Sequence, residues 1–569
     1  MNLLRLLHTI RHLRPVQLYG RVWQQLTRPR ADRRPAPPVR PQPEPWTRPA
    51  EHPPTMLGPA TFRFLSETRD LAWPGGWNDP DIHKLWLFNL HYFADLAAVD
   101  CDARRAWHEA LISRWIQDNP PFAGHAWVPY CVSQRIIHWV KWLLAGNDPA
   151  AGMLDSLAMQ ARYLERRLEY HVQGNHLLAN ATALAFTGVY FNGKEGDRWL
   201  ATALSLLRAQ VDEQILRDGG HFELSPMYHA LVLEHLLDVT NLARAYSGTV
   251  PEVATLADSW HARIAAMLGW LRTMTFPDGQ IAVVSDSAWE IAATTAQLAA
   301  YADRLGYASP PLSPQPCLHL SDSGYLRLQR GPAVLIADVG PIGASYQAGH
   351  GHADVLSFEL ALGEQRVVVD TGTSVYYGNP RARLLERGTP AHNTITVDGA
   401  DSSEVWDNFR VARRAHPRRL AIENASASTD DTVLVVSCAH DGYRRLPGRV
   451  EHHRTWRLTG DRLQIDDRLD GQFQSAVARF HLDPAARIVA LGDDELAEQI
   501  EEVGKSLPGN CRVILPGWSV VLETSGCRLR LERSTYHPRF GTSLDNLCIA
   551  AELTGPQASF CWSWSPCES

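Results

Sequence analysis

The spacing of apolar residues changes period near residue 318, and this change constrains the chain more than any other feature. From about 80 to 305, segments such as MLDSLAMQARYLERRLEY (153–170) and HALVLEHLLDVTNLARAY (229–246) repeat at helical spacing with polar breaks. The pattern predicts about eight to ten helices joined by short loops. Beyond residue 318, segments such as GYLRLQRGPAVLIADVG, VLSFELALGEQRVVVDTG and HRTWRLTGDRLQIDDRLDG read as strands bounded by Gly and Asp turns. A run of helices followed by a run of strands predicts separate domains rather than a βαβ fold. The second half is expected to be an antiparallel β-sandwich. The helical half could form a bundle, a solenoid or a closed α/α toroid, and periodicity alone does not choose among them.

Two segments precede this body. Residues 1–27 place Leu3, Leu4, Leu7, Ile10 and Leu13 at helical spacing, interrupted by Arg5, Arg11 and Arg14. These arginines break the apolar run that a cleavable secretory signal needs. What remains is a basic amphipathic helix that could touch a membrane surface or pack on the rest of the protein. Residues 28–60 are Pro-rich and predict an extended, exposed linker or strap.

Composition excludes several classes. With 45% hydrophobic and 21% charged residues the chain is neither disordered nor fibrous. A net charge of −7 argues against a general nucleic-acid binder, and no apolar run is long enough to span a bilayer. The nine cysteines are odd in number and widely spaced, so free thiols are expected rather than a disulfide framework. The 19 Trp and 24 His fit either a ring-lined groove or ordinary core filling.

Three motifs carry candidate chemistry. GHGHAD contains His350, His352 and Asp354, and Asp370 and His392 follow downstream. Two His at i and i+2 can share one face of a strand, and His with Asp suits Zn²⁺. If Gly363–Glu364 is a tight turn, Asp370 pairs near Ser357, roughly 16 Å along the strand from His352. A shared ion would then need a bulge or a folded-back loop. GNHLLAN starts a helix with Asn175 and His176, whose free N–H groups favour a carboxylate ligand. DGGHFELSPMYHA places Pro226 at a helix start and Tyr228 in its first turn, with Asp218, His221 and Glu223 in the preceding loop. Each also has a structural reading, as a cap, a packing residue or a turn former.

In this order, GNHLLAN, DGGHFELSPMYH, FPDGQIAVVSDS, GHGHADVLSFEL, VVVDTGTSVYY and AHNTITVDG resemble the heparinase II/III-like polysaccharide lyases, which include some alginate lyases. The resemblance implies an α+β multidomain chain, with an α/α toroid over 61–310 and an antiparallel β-sandwich over 311–569. It also implies β-elimination on an acidic, uronic-acid-containing polysaccharide in a cleft between them. Carried over residue by residue, Asn175 and His176 bind the uronate carboxylate, and Tyr228 and His350 share the roles of base and acid. Which of them takes the C5 proton depends on whether that proton lies syn or anti to the leaving oxygen. Tyr377, or its neighbour Tyr376, adds a hydroxyl. His352, Asp370 and His392 would hold a structural Zn²⁺ that places His350. The family points to the cell envelope, whereas the first residues show no cleavable signal. Together with the basic N-terminus, this suggests exopolysaccharide or envelope glycans as substrates. Rival readings are a glycoside hydrolase using Glu223 and Asp218, a zinc-dependent hydrolase, and a non-catalytic glycan binder.

Overall fold

A computed structural model of the chain describes residues 3–27, 29–426, 432–490, 504 and 506–567. Ten α-helices lie between residues 84 and 304. Helix Gly174–Tyr190 is their hub, and of its residues only His176 escapes full burial. It packs against Pro129–Leu144, Lys194–Gln214 and Pro226–Ala245. Ala and Gly dominate its sequence because neighbours approach closely on every side. A Cβ on Gly188 would lie 2.4 Å from the backbone nitrogen of Leu200, so only glycine fits there. The Trp surplus goes largely into this core: Trp77, Trp86, Trp115, Trp139, Trp199, Trp260 and Trp270 are almost fully buried.

The Pro-rich segment is laid down on the helices. Arg40 donates its backbone N–H to Tyr190 O, Asn192 donates to Pro38 O, and Asn241 Nδ2 donates to Thr47 O. Proline needs no ladder partner, so such a strap can be fixed by a few bonds between its prolines.

Apart from a short hairpin at Thr61–Phe64 and Glu67–Asp70, strands begin at Cys317–Leu320. A five-stranded meander runs in chain order through Tyr325–Arg330, Ala333–Asp338, Phe358–Leu362 and Gln365–Val368. Every residue of Ala333–Asp338 is buried. Ile336 and Val334 join the core of the helical half, whereas Leu335 and Ala337 join the β core. The meander is therefore the middle layer between toroid and sandwich. An eight-stranded and a second five-stranded antiparallel sheet complete the β half. The architecture is an α/α toroid followed by antiparallel β-sandwich layers. All nine cysteines are free thiols.

The motif GHGHAD departs from its expected form. It is a loop rather than a strand, and regular pairing starts only at Phe358. The turn at Gly363–Glu364 forms as expected, with Leu362 opposite Gln365. The register then shifts between Leu360 and Ala361. The folded-back loop and the bulge together remove the long separation that a straight strand would impose.

Inside the sandwich, Arg454 and Asp467 face each other across adjacent strands. The Arg454 guanidinium is bidentate to Asp467, at 2.8 Å for both bonds. It also donates to the carbonyls of Leu356 and Asn393, tying down both loops that carry the histidines discussed below. Burial opposes the Asp467 charge, but Arg454 and His452 prevail and hold its carboxyl well below the usual range.

Two predictions follow from this packing. Gly188→Ala should lower stability by about 2 kcal/mol through overpacking, read as a lower urea midpoint; an unchanged midpoint would show that the helices have room for a methyl. The depressed Asp467 contributes stability that is present above its unfolded value of about 4 and lost progressively as pH falls below that toward the much lower folded value. Urea midpoints should therefore fall on acidification from about pH 6 to 3, and Asp467→Asn should flatten that dependence while costing about 3 kcal/mol near neutrality.

Candidate active site

A cavity of about 650 Å³ opens between toroid and β layers. Asn175, His176, Tyr228, His350, Tyr376 and Tyr377 all line it. No Trp does, so the ring-lined groove is built from Tyr, Phe and His among the described residues. Local sequence explains each placement. Helix Gly174–Tyr190 starts immediately before Asn175 and His176. Helix Pro226–Ala245 starts with proline, and its N-cap Ser225 accepts from the Tyr228 N–H. Two helix starts from distant parts of the chain thus point into one hollow, with the His350 loop opposite.

The Tyr228 ring lies against the His350 imidazole, with centroids 4.0 Å apart. The Tyr228 hydroxyl donates to that of Tyr376 at 3.3 Å. Burial pushes the Tyr228 phenol well above its ordinary value, which keeps it protonated. Of the two neighbouring tyrosines expected to add a hydroxyl, Tyr376 makes this contact. Tyr377 lines the same cavity with Lys84 Nζ 4.9 Å from its ring centre.

Glu223 connects the two sides. Its carboxylate accepts from the Asn175 backbone N–H at 2.8 Å and from Asn175 Nδ2 at 2.9 and 3.1 Å. Its Oε2 lies 3.5 Å from His350 Nε2. Gly174 has φ +58°, and a Cβ there would fall 2.0 Å from Glu223 Oε1. The glycine of GNHLLAN is therefore required twice, for its backbone angle and for its missing side chain. His176 pairs with Glu169 at 3.1 Å. Burial works against its charge, but Glu169 prevails and raises the His176 imidazole above its usual value. Asp218 takes no part in the cleft. It accepts from the backbone N–H groups of Asp322 and Ser323 and from the Ser323 hydroxyl, and so fastens toroid to sheet. The carboxylate pair needed for a glycosidase is not assembled.

A buried carboxylate that sequence reasoning missed organises the opposite wall. Asp286 accepts from His350 Nδ1 at 2.8 Å and His352 Nε2 at 2.9 Å. It also takes two bonds from the Arg383 guanidinium, at 2.5 and 2.6 Å. Burial opposes its charge, yet Arg383 and both imidazoles hold it ionised. A carboxylate only accepts, so the bonds fix the tautomers: His350 carries its proton on Nδ1 and His352 on Nε2. His350 Nε2 faces the cleft, 3.5 Å from Glu223 Oε2. Asp286 lies within FPDGQIAVVSDS, but nothing in that segment's spacing marked it. Arg383, in a polar helix, carried no signal at all.

His352, Asp354 and His392 offer ligand atoms within 4.8 Å of one another. His352 Nδ1, Asp354 Oδ2 and His392 Nε2 are all buried without a hydrogen-bond partner. Three such atoms converging are costly unless a cation joins them. Two imidazoles and a carboxylate suit Zn²⁺, and both imidazoles are backed by carboxylates, Asp286 and Asp370. Here the structure differs from the expected set of His352, Asp370 and His392. Asp370 Oδ2 sits 2.8 Å from His392 Nδ1, behind that ring, and Asp354 completes the trio. The HAD segment folds back as a loop, which turns Asp354 toward the histidines.

Both halves of the chain match known proteins. Residues 73–306 match the family model "Heparinase II/III N-terminus", and residues 313–565 match "Heparinase II/III-like, C-terminal". A heparin-sulfate lyase from Pedobacter heparinus is 29% identical over 311 residues, covering 50% of this chain and 45% of that protein. FtsZ-localized protein C from Caulobacter vibrioides is 27% identical over 423 residues, covering 70% of this chain and 69% of that protein. The crystal structure of heparinase III superposes with a TM-score of 0.67 at 17% identity, over 88% of this chain and 80% of that one. With both halves matched in order and the same fold throughout, the chain belongs to the heparinase II/III-like family.

Proposed function

We propose that this protein is a polysaccharide lyase that cleaves a uronic-acid-containing polymer by β-elimination. The observation that carries the reading is the meeting of an amide, a phenol and an imidazole around one hollow: Asn175, Tyr228 and His350. The C5 proton of a uronate is weakly acidic because its carboxylate already bears charge. Neutralising that carboxylate stabilises the enolate-like intermediate. Asn175, held in place by Glu223, and His176, raised by Glu169, serve this role. Tyr228 stays protonated and donates to the departing O4, while His350 Nε2 offers a lone pair for the C5 proton. A substrate whose C5 hydrogen and leaving oxygen lie on the same face would place both transfers on Tyr228. Arg21, Arg410 and Arg414 also line the cavity and suit an acidic polymer. With its basic leading segment, the chain fits exopolysaccharide or envelope glycans better than animal glycosaminoglycans.

His352, Asp354 and His392 would hold Zn²⁺ as a structural ion, with Asp370 orienting His392. Such an ion supplies charge and rigidity that fix the loop bearing His350, two residues away from His352. A hydrolytic zinc needs an open position for water. The trio is 0–3% exposed, which speaks against that rival.

Incubation with a panel of uronate polymers should give products absorbing in the ultraviolet from the new C4–C5 double bond. Saturated products would sink the lyase, and cleavage of heparin alone would sink the substrate class. Tyr228→Phe should lower kcat by about 10²–10⁴-fold with KM little changed and an unaltered melting curve. Full activity in that variant would remove Tyr228 from the chemistry. Purified protein should carry about one zinc per chain, and His392→Ala should lose both the metal and several degrees of Tm. An unchanged melt after metal removal would exclude the structural role.

A further inference from the structure

The two leading helices, Leu3–Ile10 and Pro15–Leu26, sit at the rim of the cleft, where Leu6, Thr9, Leu13 and Gln17 line the cavity. They are fastened by polar contacts. Gln17 Nε2 donates to Tyr346 O, Gln24 Nε2 to Leu168 O, and Trp406 Nε1 to Thr9 Oγ1. Arg14 pairs with Glu213 and lies 3.6 Å from the Tyr346 ring centre. Gly20 abuts His171, where a Cβ would come within 3.0 Å of the His171 Cβ.

Gln17, Gly20 and Gln24 recur at three- and four-residue spacing, so the face of the second helix turned to the protein is polar. Its apolar face points outward. Tyr19 is 63% exposed, Val22 55%, Trp23 63% and Leu26 76%. In the first helix no residue is buried, and Leu3 and Leu7 are 66% and 55% exposed. This inverts the ordinary surface helix, which buries its apolar stripe. Nine of the sixteen large hydrophobics exposed among the described residues lie between Leu3 and Leu26. Exposed apolar surface is therefore concentrated on these two helices rather than scattered singly over the molecule.

Charge identifies the occupant. Residues 1–31 contain six Arg and no Asp or Glu, in a chain of net charge −7. Arg5 and Arg14 face acids of the body, Glu404 and Glu213, and an apolar face with Trp and Tyr in a segment that keeps a positive excess matches the boundary of an anionic bilayer. Among the described residues no helix is long and apolar enough to cross a membrane. A second copy would cover the apolar face but would bring two all-positive segments together.

We infer that the outward face of the two leading helices docks on an anionic lipid surface and holds the cleft rim against it. The inference does not depend on the lyase reading. The full chain should co-sediment with phosphatidylglycerol/phosphatidylethanolamine vesicles and only weakly with phosphatidylcholine vesicles. Raising the salt concentration should release it. The triple substitution Leu7→Glu/Val22→Glu/Trp23→Glu should weaken vesicle binding by at least about tenfold. It should leave the melting curve unchanged, because all three side chains face solvent. Three results would overturn the inference: wild-type protein left in the supernatant with anionic vesicles, no preference for them over phosphatidylcholine, or a lipid-free dimer in sedimentation velocity that the triple variant abolishes. The last would assign the face to a second copy.

Discussion

One carboxylate, Asp286, is the interaction on which the rest of the site depends. It belongs to the segment leaving the last large toroid helices, and its partners His350, His352 and Arg383 all come from the β half. A fully buried charge is costly unless paired, and removing one partner of such a pair costs about 3–5 kcal/mol. Asp286 is answered by a bidentate guanidinium and two imidazole N–H groups, so its burial is satisfied only in one arrangement of the domains. That arrangement brings His350 against Tyr228. The same two bonds orient both imidazoles, turning His350 Nε2 toward the cleft and Glu223, and His352 Nδ1 toward His392 and Asp354.

The toroid side has a matching device. Glu223 locks the Asn175 amide and reaches His350, and Gly174 makes room for its carboxylate. A residue first weighed as a hydrolytic acid thus works as a brace. Asp218, its proposed partner, is occupied by the backbone of the first β-turn. Arg454, inside the sandwich, holds the carbonyls of Leu356 and Asn393 and so braces the His350–Asp354 and His392 loops from behind. Cavity-facing groups stand on loops and helix starts, while the charges that fix them are buried where no water competes.

Much of the site was legible beforehand because its residues sit at places that local rules mark. A proline at a helix start announced Tyr228, and a glycine–asparagine break announced Asn175. Paired histidines announced the β loop. Asp286, Arg383 and the place of Asp354 beside the two histidines were not legible. Asp286 matters through contacts 64 to 97 residues away in sequence, and a single Asp or Arg in a polar segment looks like any solvated residue. The leading helices show the same limit. Their 3.6-residue pattern was plain, but whether the apolar stripe faced the protein or the solvent depended on Gln17, Gly20 and Gln24 meeting the body.

The amino-acid order by itself determined the sequence of architectures, helices then strands, because backbone periodicity is a local property set by side-chain spacing. It also determined which residue types stand at helix starts, since caps and turns are satisfied within a few residues. Tertiary structure decided which of these groups face one another, which carboxylate joins His352 and His392, and which side of the first helices is wet. Those outcomes turn on desolvation and on pairing between distant groups, and neither has a value until the chain has folded around them.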